Sequence, residues 1–304
     1  MRVSQAAQGR IISPDTYWWP EKFHVEQVRP VLELAGLVLL GLGIGTYGTV
    51  VGAGGGFVLV PALLILYPDF EPEEVTSVSL GVVFLSASSG AMSYARQRRI
   101  DYTTGLLFAA ASAPGVVAGA LLVQFVPERL FTGLFGVMLL GVAAVSLWGR
   151  PLAIREPLRG SGVIRRSVTD ADGKQYIYAY RIWQGLTLSL GIGVVSSLFG
   201  IGGGVIHVPA MIMLLHIPVH FAVATSLFVL VFMSGGASVI HLATGALGGE
   251  EAAKIAALAL GAVPGAQLGT YLAQRIKGRS VLILLASAIV VLGARLLLKA
   301  IADV

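Results

Sequence analysis

A glycine-rich break constrains this chain more than any other feature. Gly52-Ala53-Gly54-Gly55-Gly56-Phe57-Val58-Leu59-Val60-Pro61 interrupts a long apolar run, and Gly200-Ile201-Gly202-Gly203-Gly204-Val205-Ile206-His207-Val208-Pro209 repeats it 148 residues later. Irregular backbone inside an apolar run cannot face lipid. It survives only where protein or a water-lined cavity satisfies its N–H and C=O groups. Two such breaks, each followed by a short apolar stretch, predict a membrane protein organised around them.

Composition supports that class. Of 304 residues, 56% are hydrophobic and 12% are charged, against about 25% charged in soluble chains. The charges cluster, leaving runs of about 20 apolar residues, the length that crosses a bilayer core. Ten apolar segments are predicted, near 33–51, 56–67, 76–95, 103–125, 130–148, 184–199, 204–216, 221–243, 253–273 and 280–300. The fold class expected is an all-α polytopic membrane protein. Short alternating segments, the mark of a transmembrane barrel, are absent from this pattern. The second and seventh segments are too short to cross alone.

The chain divides into an interfacial amino-terminal extension at 1–32, a first membrane repeat at 33–148, a basic connector at 149–183 and a second membrane repeat at 184–304. The extension lacks the apolar core of a signal peptide. Its Tyr17-Trp18-Trp19-Pro20 suits the headgroup level. Beyond the glycine breaks, Ser79-Leu80 matches Ser226-Leu227, Pro114-Gly115 matches Pro264-Gly265, and Gly119 matches Gly269, at offsets of 147 to 150. This regularity is an internal duplication.

Net charge is +5. The basic residues fall in loops: Arg96, Arg98 and Arg99; then Arg150, Arg155, Arg159, Arg165, Arg166, Lys174 and Arg181; then Arg275, Lys277 and Arg279. These loops are expected in the cytoplasm, which argues against nucleic acid as partner and for the bilayer. An odd number of segments per repeat inverts the second repeat relative to the first. Inverted repeats with interrupted helices are a common build of secondary transporters, with the substrate near the midplane.

The breaks suggest how a substrate is held. Glycines allow left-handed backbone and close approach. A helix starting at each break points free N–H groups and a positive dipole end into the space between them. Gly54, Gly55 and Gly56, with Gly202, Gly203 and Gly204, are therefore the candidate anion-binding backbone. Gly52 and Gly200 are the candidate hinges, and Pro61 and Pro209 fit the first turn of the following helices. Ser79, Thr225, Ser226 and Gln267 are candidate donors to anion oxygens, although small hydroxyl residues also serve helix packing. His207 stands where the first copy has Leu59, and an ionisable residue inside a membrane segment is a functional candidate. His241 stands opposite Tyr94.

Other classes lose support. No Asp or Glu falls in mid-membrane, against a carboxylate proton relay or an acidic cation site. No nucleophile–base pair, HExxH or metal cluster is visible, so neither an enzyme nor a metal or cofactor site is expected. The chain has no cysteine, excluding disulfides and thiolate ligands. The glycine runs lack the strand and βαβ setting of a dinucleotide loop.

On the residues from Gly52 to Pro61 and Gly200 to Pro209, with Ser79-Leu80, Thr225-Ser226-Leu227, Pro114-Gly115 and Pro264-Gly265, the chain resembles the sulfite exporter TauE/SafE family over about residues 33–300. The resemblance implies transport of small sulfur-containing anions such as sulfite, sulfoacetate or related organosulfonates, often outward, in the cell membrane. An ion-coupled anion importer is the alternative within transport. A non-transporting membrane scaffold is the alternative outside it, and tightly packed, dry breaks would favour that reading.

Overall fold

A computed structural model describes residues 21–148, 162–171, 173–246, 248–276 and 278–302. The aromatic run at 17–20 lies outside these residues, as do Arg150, Arg155, Arg159 and Lys277 of the basic loops. The chain falls into two compact units, residues 1–36 and 37–304. The first carries the amino-terminal part of helix α1 (Glu21–Val51), and the second holds all later elements.

The helices follow the apolar runs. After α1 come α2 (Gly56–Leu66), α3 (Pro72–Arg96), α4 (Tyr102–Leu122) and α5 (Glu128–Trp148), then α6 (Ile182–Leu198), α7 (Gly204–Met213), α8 (Val219–Thr244), α9 (Gly249–Ala273) and α10 (Gly278–Ala302). Among the described residues, seven helices are long and apolar enough to cross a membrane. Gly56–Leu66, Ile182–Leu198 and Gly204–Met213 are shorter, so the sixth segment joins the second and seventh as a short one. Local chemistry sets the helix starts. Pro72 opens α3, where the Glu71 N–H donates to the Glu74 carboxylate at 2.9 Å, and Asp101 caps α4 by accepting from the Thr104 N–H.

One expectation about the short helices is corrected. Pro61 and Pro209 do not occupy first turns. Each is the sixth residue of its helix, counted from Gly56 and Gly204. The helices begin at the last glycine of each break, earlier than the prolines require. The missing N–H therefore leaves a carbonyl one turn back without its intrahelical partner.

The expected all-α architecture also needs amendment. The connector carries an antiparallel hairpin, β1 (Val163–Thr169) with β2 (Gln175–Arg181), paired from Val163↔Arg181 to Thr169↔Gln175. Tyr176, Tyr178 and Tyr180 alternate along β2, and Tyr178 and Tyr180 are buried. β-Branched and aromatic residues at period two favour this form.

The two most enclosed spans, α3 and α8, have 78% and 56% of their apolar stretches buried, against 33% for α10. They pack on each other at the centre, with α3 also against α9 and α8 against α4. The matched Pro-Gly positions mark two further contacts. Gly261, Gly265 and Gly269 of α9 run against main-chain oxygens of Val38, Leu42 and Thr46 in α1. Gly115 and Gly119 of α4 run against those of Leu190 and Val194 in α6. Glycine stripes let the backbones approach closely where lipid offers no hydrophobic gradient.

Candidate functional site

The two breaks adopt one backbone form. Gly52, Gly54 and Gly55 have φ of 76°, 70° and 89°; Gly200, Gly202 and Gly203 have 69°, 73° and 90°. Left-handed backbone at three places within four residues is open only to glycine at small cost. Gly55 and Gly203 are the residues before the first turns of α2 and α7. Val58 and Leu59 donate back to the Gly55 carbonyl, and Ile206 and His207 to that of Gly203. The earlier N–H groups of each helix have no acceptor within it.

The breaks meet each other. A Cβ on Gly56 would lie 2.7 Å from the Gly200 oxygen, and one on Gly204 would run into the Gly52 oxygen and Ala53. The serines predicted as ligands cross between the two breaks: Ser79 Oγ donates to the Gly200 carbonyl at 2.6 Å, and Ser226 Oγ to the Gly52 carbonyl at 3.1 Å. Val83 and Leu230 cover both Gly54 and Gly202. All ten residues of Gly52–Gly56 and Gly200–Gly204 are buried. In this conformation the centre is closed, backbone against backbone.

The remaining candidates separate. Thr225 Oγ1 accepts the Asp101 backbone N–H at 3.0 Å, so it ties α8 to the start of α4. Gln267 lies on an exposed face of α9, with Nε2 donating to Ser89 O and Oγ at 2.8 Å each. His207 is fully buried, stacked on Phe108 with ring centroids 6.3 Å apart and Nε2 3.2 Å from Ser189 Oγ. Its Nδ1 has no hydrogen-bond partner. The structure thus brings the glycines, Ser79 and Ser226 together, and places Thr225, Gln267 and His207 around them in separate contacts.

A second polar cluster was not expected from sequence. Asp101, 1% exposed, accepts from Arg166 Nη2 at 2.7 Å and Nε at 3.1 Å, from the Tyr178 hydroxyl at 2.7 Å and from Thr104 Oγ1 at 2.5 Å. Burial pushes the Asp101 carboxyl up, but the hydrogen bonds from Arg166, Thr104 and Tyr178 outweigh it and hold the group below the usual carboxylate range. The same carboxylate raises Arg166. Burial, then the Asp101 bond, pushes Tyr178 up. Two signals could have found the cluster: an Asp just before an apolar run, and tyrosines at period two in the connector.

A cavity of about 620 Å³ lies between α4 and α8, lined by Leu106, Val116, Val117, Phe232, Met233 and Val239 among others. Its one side-chain hydroxyl, on Ser112, donates to the Ala109 carbonyl. Nothing in that lining offers an anion a donor, so the chemistry suited to oxyanions stays with the breaks.

The family profile described as sulfite exporter TauE/SafE matches residues 37–296. Probable membrane transporter protein YunE of Bacillus subtilis is 32% identical over 271 residues, covering 87% of this chain and 97% of its own. A probable membrane transporter protein of Methanocaldococcus jannaschii is 26% identical over 273 residues, covering 86% and 94%. Probable membrane transporter protein YjnA of Bacillus subtilis is 24% identical over 269 residues, covering 86% and 98%. No solved structure matches the chain. The matched profile spans both glycine breaks, all ten helices in whole or part and the hairpin between them, so this chain is a multi-pass membrane transporter protein of the sulfite exporter TauE/SafE family.

Proposed function

We propose that this transporter moves small sulfur-containing anions, such as sulfite, sulfoacetate or related organosulfonates, outward by alternating access. In this reading the two five-segment halves are inverted repeats, and the glycine breaks near the midplane form the substrate site. The observation that carries it is the reciprocal crossing: Ser79 reaches the Gly200 carbonyl and Ser226 the Gly52 carbonyl, while the starts of α2 and α7 adjoin the opposite break. Parting the breaks would release two hydroxyl donors and the first-turn N–H groups of two helices. That set is rich in donors and the positive ends of helix dipoles, and it carries no acid, which suits an anion.

Energetics favour export. With the inside negative, each elementary charge leaving gains about 2.3 kcal/mol per 100 mV, so outward flow needs no coupling ion. The test is sulfite flux in proteoliposomes under an imposed potential. Efflux that follows an inside-negative potential is expected, and efflux indifferent to it would sink uniport and favour the coupled importer.

The close packing of the breaks favours a second reading, a non-transporting membrane scaffold. Proteoliposomes separate the two. A scaffold moves no anion across a panel of sulfite, thiosulfate, sulfonates and phosphate, whereas the proposed transporter moves the sulfur oxyanions.

A further inference from the structure

One face of α3 runs from the breaks to the end of the helix. Ser79, Val83, Ser86, Gly90 and Tyr94 follow one another at steps of three and four, the spacing of a single helical face. Their contacts bear this out at four of the five places. Ser79 bonds the Gly200 carbonyl, and Val83 covers Gly54 and Gly202. Gly90 faces Thr49, where a Cβ would lie 3.0 Å from Cγ2 and 3.3 Å from Oγ1. The Tyr94 hydroxyl reaches the Thr49 carbonyl only at 3.5 Å.

Thr49 and Ser86 are both 0% exposed, and neither hydroxyl has a hydrogen-bond partner. Thr132, Ser197 and Ser238 share that state, but other helix hydroxyls are paired. Ser88 donates to Phe84 O at 2.6 Å, Ser146 to Val142 O at 2.7 Å and Ser234 to Leu230 O at 2.5 Å, each one turn back. That local bond is open to any helical serine or threonine. Ser86 and Thr49 do not take it, and a buried polar group without a partner calls for an explanation.

The opposite side does not reproduce the arrangement. On α8 the equivalent positions to Ser86, Gly90 and Tyr94 are Met233, Ala237 and His241. Ser197 stands in the place of Thr49 and is likewise unpartnered. However, Met233 supplies no donor next to the breaks, and the Glu73 carboxylate lies 3.8 Å from His241, which disfavours an anion there. Beyond Tyr94, by contrast, α3 ends in Arg96, with Arg98 and Arg99 following and the Arg99 N–H bonded to the Tyr94 carbonyl. A cluster of positive charge at one end draws anions toward it.

We infer that Ser86, Thr49 and Tyr94 form an anion lane along α3, joining the glycine breaks to the basic α3–α4 turn. Their hydroxyls donate hydrogen bonds to a small oxyanion in transit. This rests on the transport reading and adds its path. An acceptor-only ligand fits the Ser86 and Thr49 hydroxyls, which have no partner, and the Tyr94 hydroxyl, held only by the 3.5 Å bond to the Thr49 carbonyl.

The experiment uses the full chain in proteoliposomes with sulfite and, separately, sulfoacetate. Ser86→Ala and Thr49→Val are compared with wild type and with Ser146→Ala, which removes a partnered hydroxyl on α5. Each lane variant is expected to lose roughly tenfold in flux, the scale of one hydrogen bond to a charged group. Neither should unfold at a lower temperature, because the deleted hydroxyl bonds nothing in the closed protein. Thr49→Ser should restore flux, and Ser146→Ala should leave it intact. Wild-type flux with both lane variants unchanged would overturn the lane. Flux and unfolding temperature falling together, without rescue by Thr49→Ser, would also overturn it by making these residues structural. A wild type that carries neither anion removes the transport reading itself, and the lane with it.

Discussion

Ser79 and Gly200, 121 residues apart, are joined by a 2.6 Å hydrogen bond from the serine hydroxyl to the glycine carbonyl. Ser226 and Gly52 make the same connection in the other direction, at 3.1 Å. Each half of the chain thus satisfies a carbonyl that the other half's break has left outside helical geometry. Removing either hydroxyl leaves a buried acceptor unpaired, at a cost of about 1–3 kcal/mol. Ser79→Ala and Ser226→Ala should each lower the thermal unfolding midpoint in detergent. Ser287→Ala, which removes a bond to Leu284 O on the exposed surface of α10, should not.

Close approach at the breaks makes a second prediction. Gly56→Ala places a methyl group 2.7 Å from the Gly200 oxygen, in backbone that cannot retreat without parting the two breaks. Overpacking of this kind costs about 1–3 kcal/mol or more, so folded yield and unfolding temperature should both fall. Gly43→Ala on α1 is the contrast, since nothing lies within 4 Å of its added Cβ. There alanine should be neutral or stabilising, by up to about 1 kcal/mol through helix propensity.

The hairpin clamp predicts a pH dependence. Asp101 has its folded pKa lowered from 3.8. Its contribution is therefore present above the unfolded value and lost as pH falls through the folded one. Arg166→Ala leaves the buried carboxylate with Tyr178 and Thr104 alone, and breaking such a pair costs on the order of 3 kcal/mol. The gap in unfolding temperature between wild type and Arg166→Ala should be full at neutral pH and narrow below about pH 4. A gap that widened on acidification would contradict the assignment.

His207 is the largest chemical difference between the two breaks. Leu59 occupies the matching place and is also fully buried, so His207→Leu is sterically precedented within the same protein. It removes the ring nitrogen that meets Ser189. A change in the pH profile of sulfite flux, or in its preference among sulfur oxyanions, is expected. Flux identical to wild type in both respects assigns His207 to packing.

Much of the fold was legible in the sequence because the bilayer imposes it. Apolar runs of bilayer length had to be helices, since no other open structure satisfies its backbone in lipid, and the helices cover those runs, although α1 starts at Glu21, twelve residues before the predicted start at 33. The glycine breaks were legible for the same reason: several residues in left-handed backbone inside a membrane segment admit glycine and little else. The hairpin was less visible, because its strands are short and sit within a charged connector that reads as a loop. The prolines misled because helix starts depend on where the last left-handed glycine falls, and Gly55 and Gly203 set that point six residues before Pro61 and Pro209.

The sequence by itself determined that this is a membrane protein and that two matched glycine breaks interrupt its apolar runs. Composition and repetition are properties of the chain, and the membrane converts them directly into helices. Only the tertiary structure decided what those breaks touch. Ser79 and Ser226 face carbonyls of the opposite break, Thr225 is held by Asp101, and Gln267 turns to Ser89. Whether a hydroxyl bonds its own helix, a distant carbonyl or nothing depends on which backbone is packed beside it. In lipid that choice is made by steric fit between helices, which local sequence does not encode.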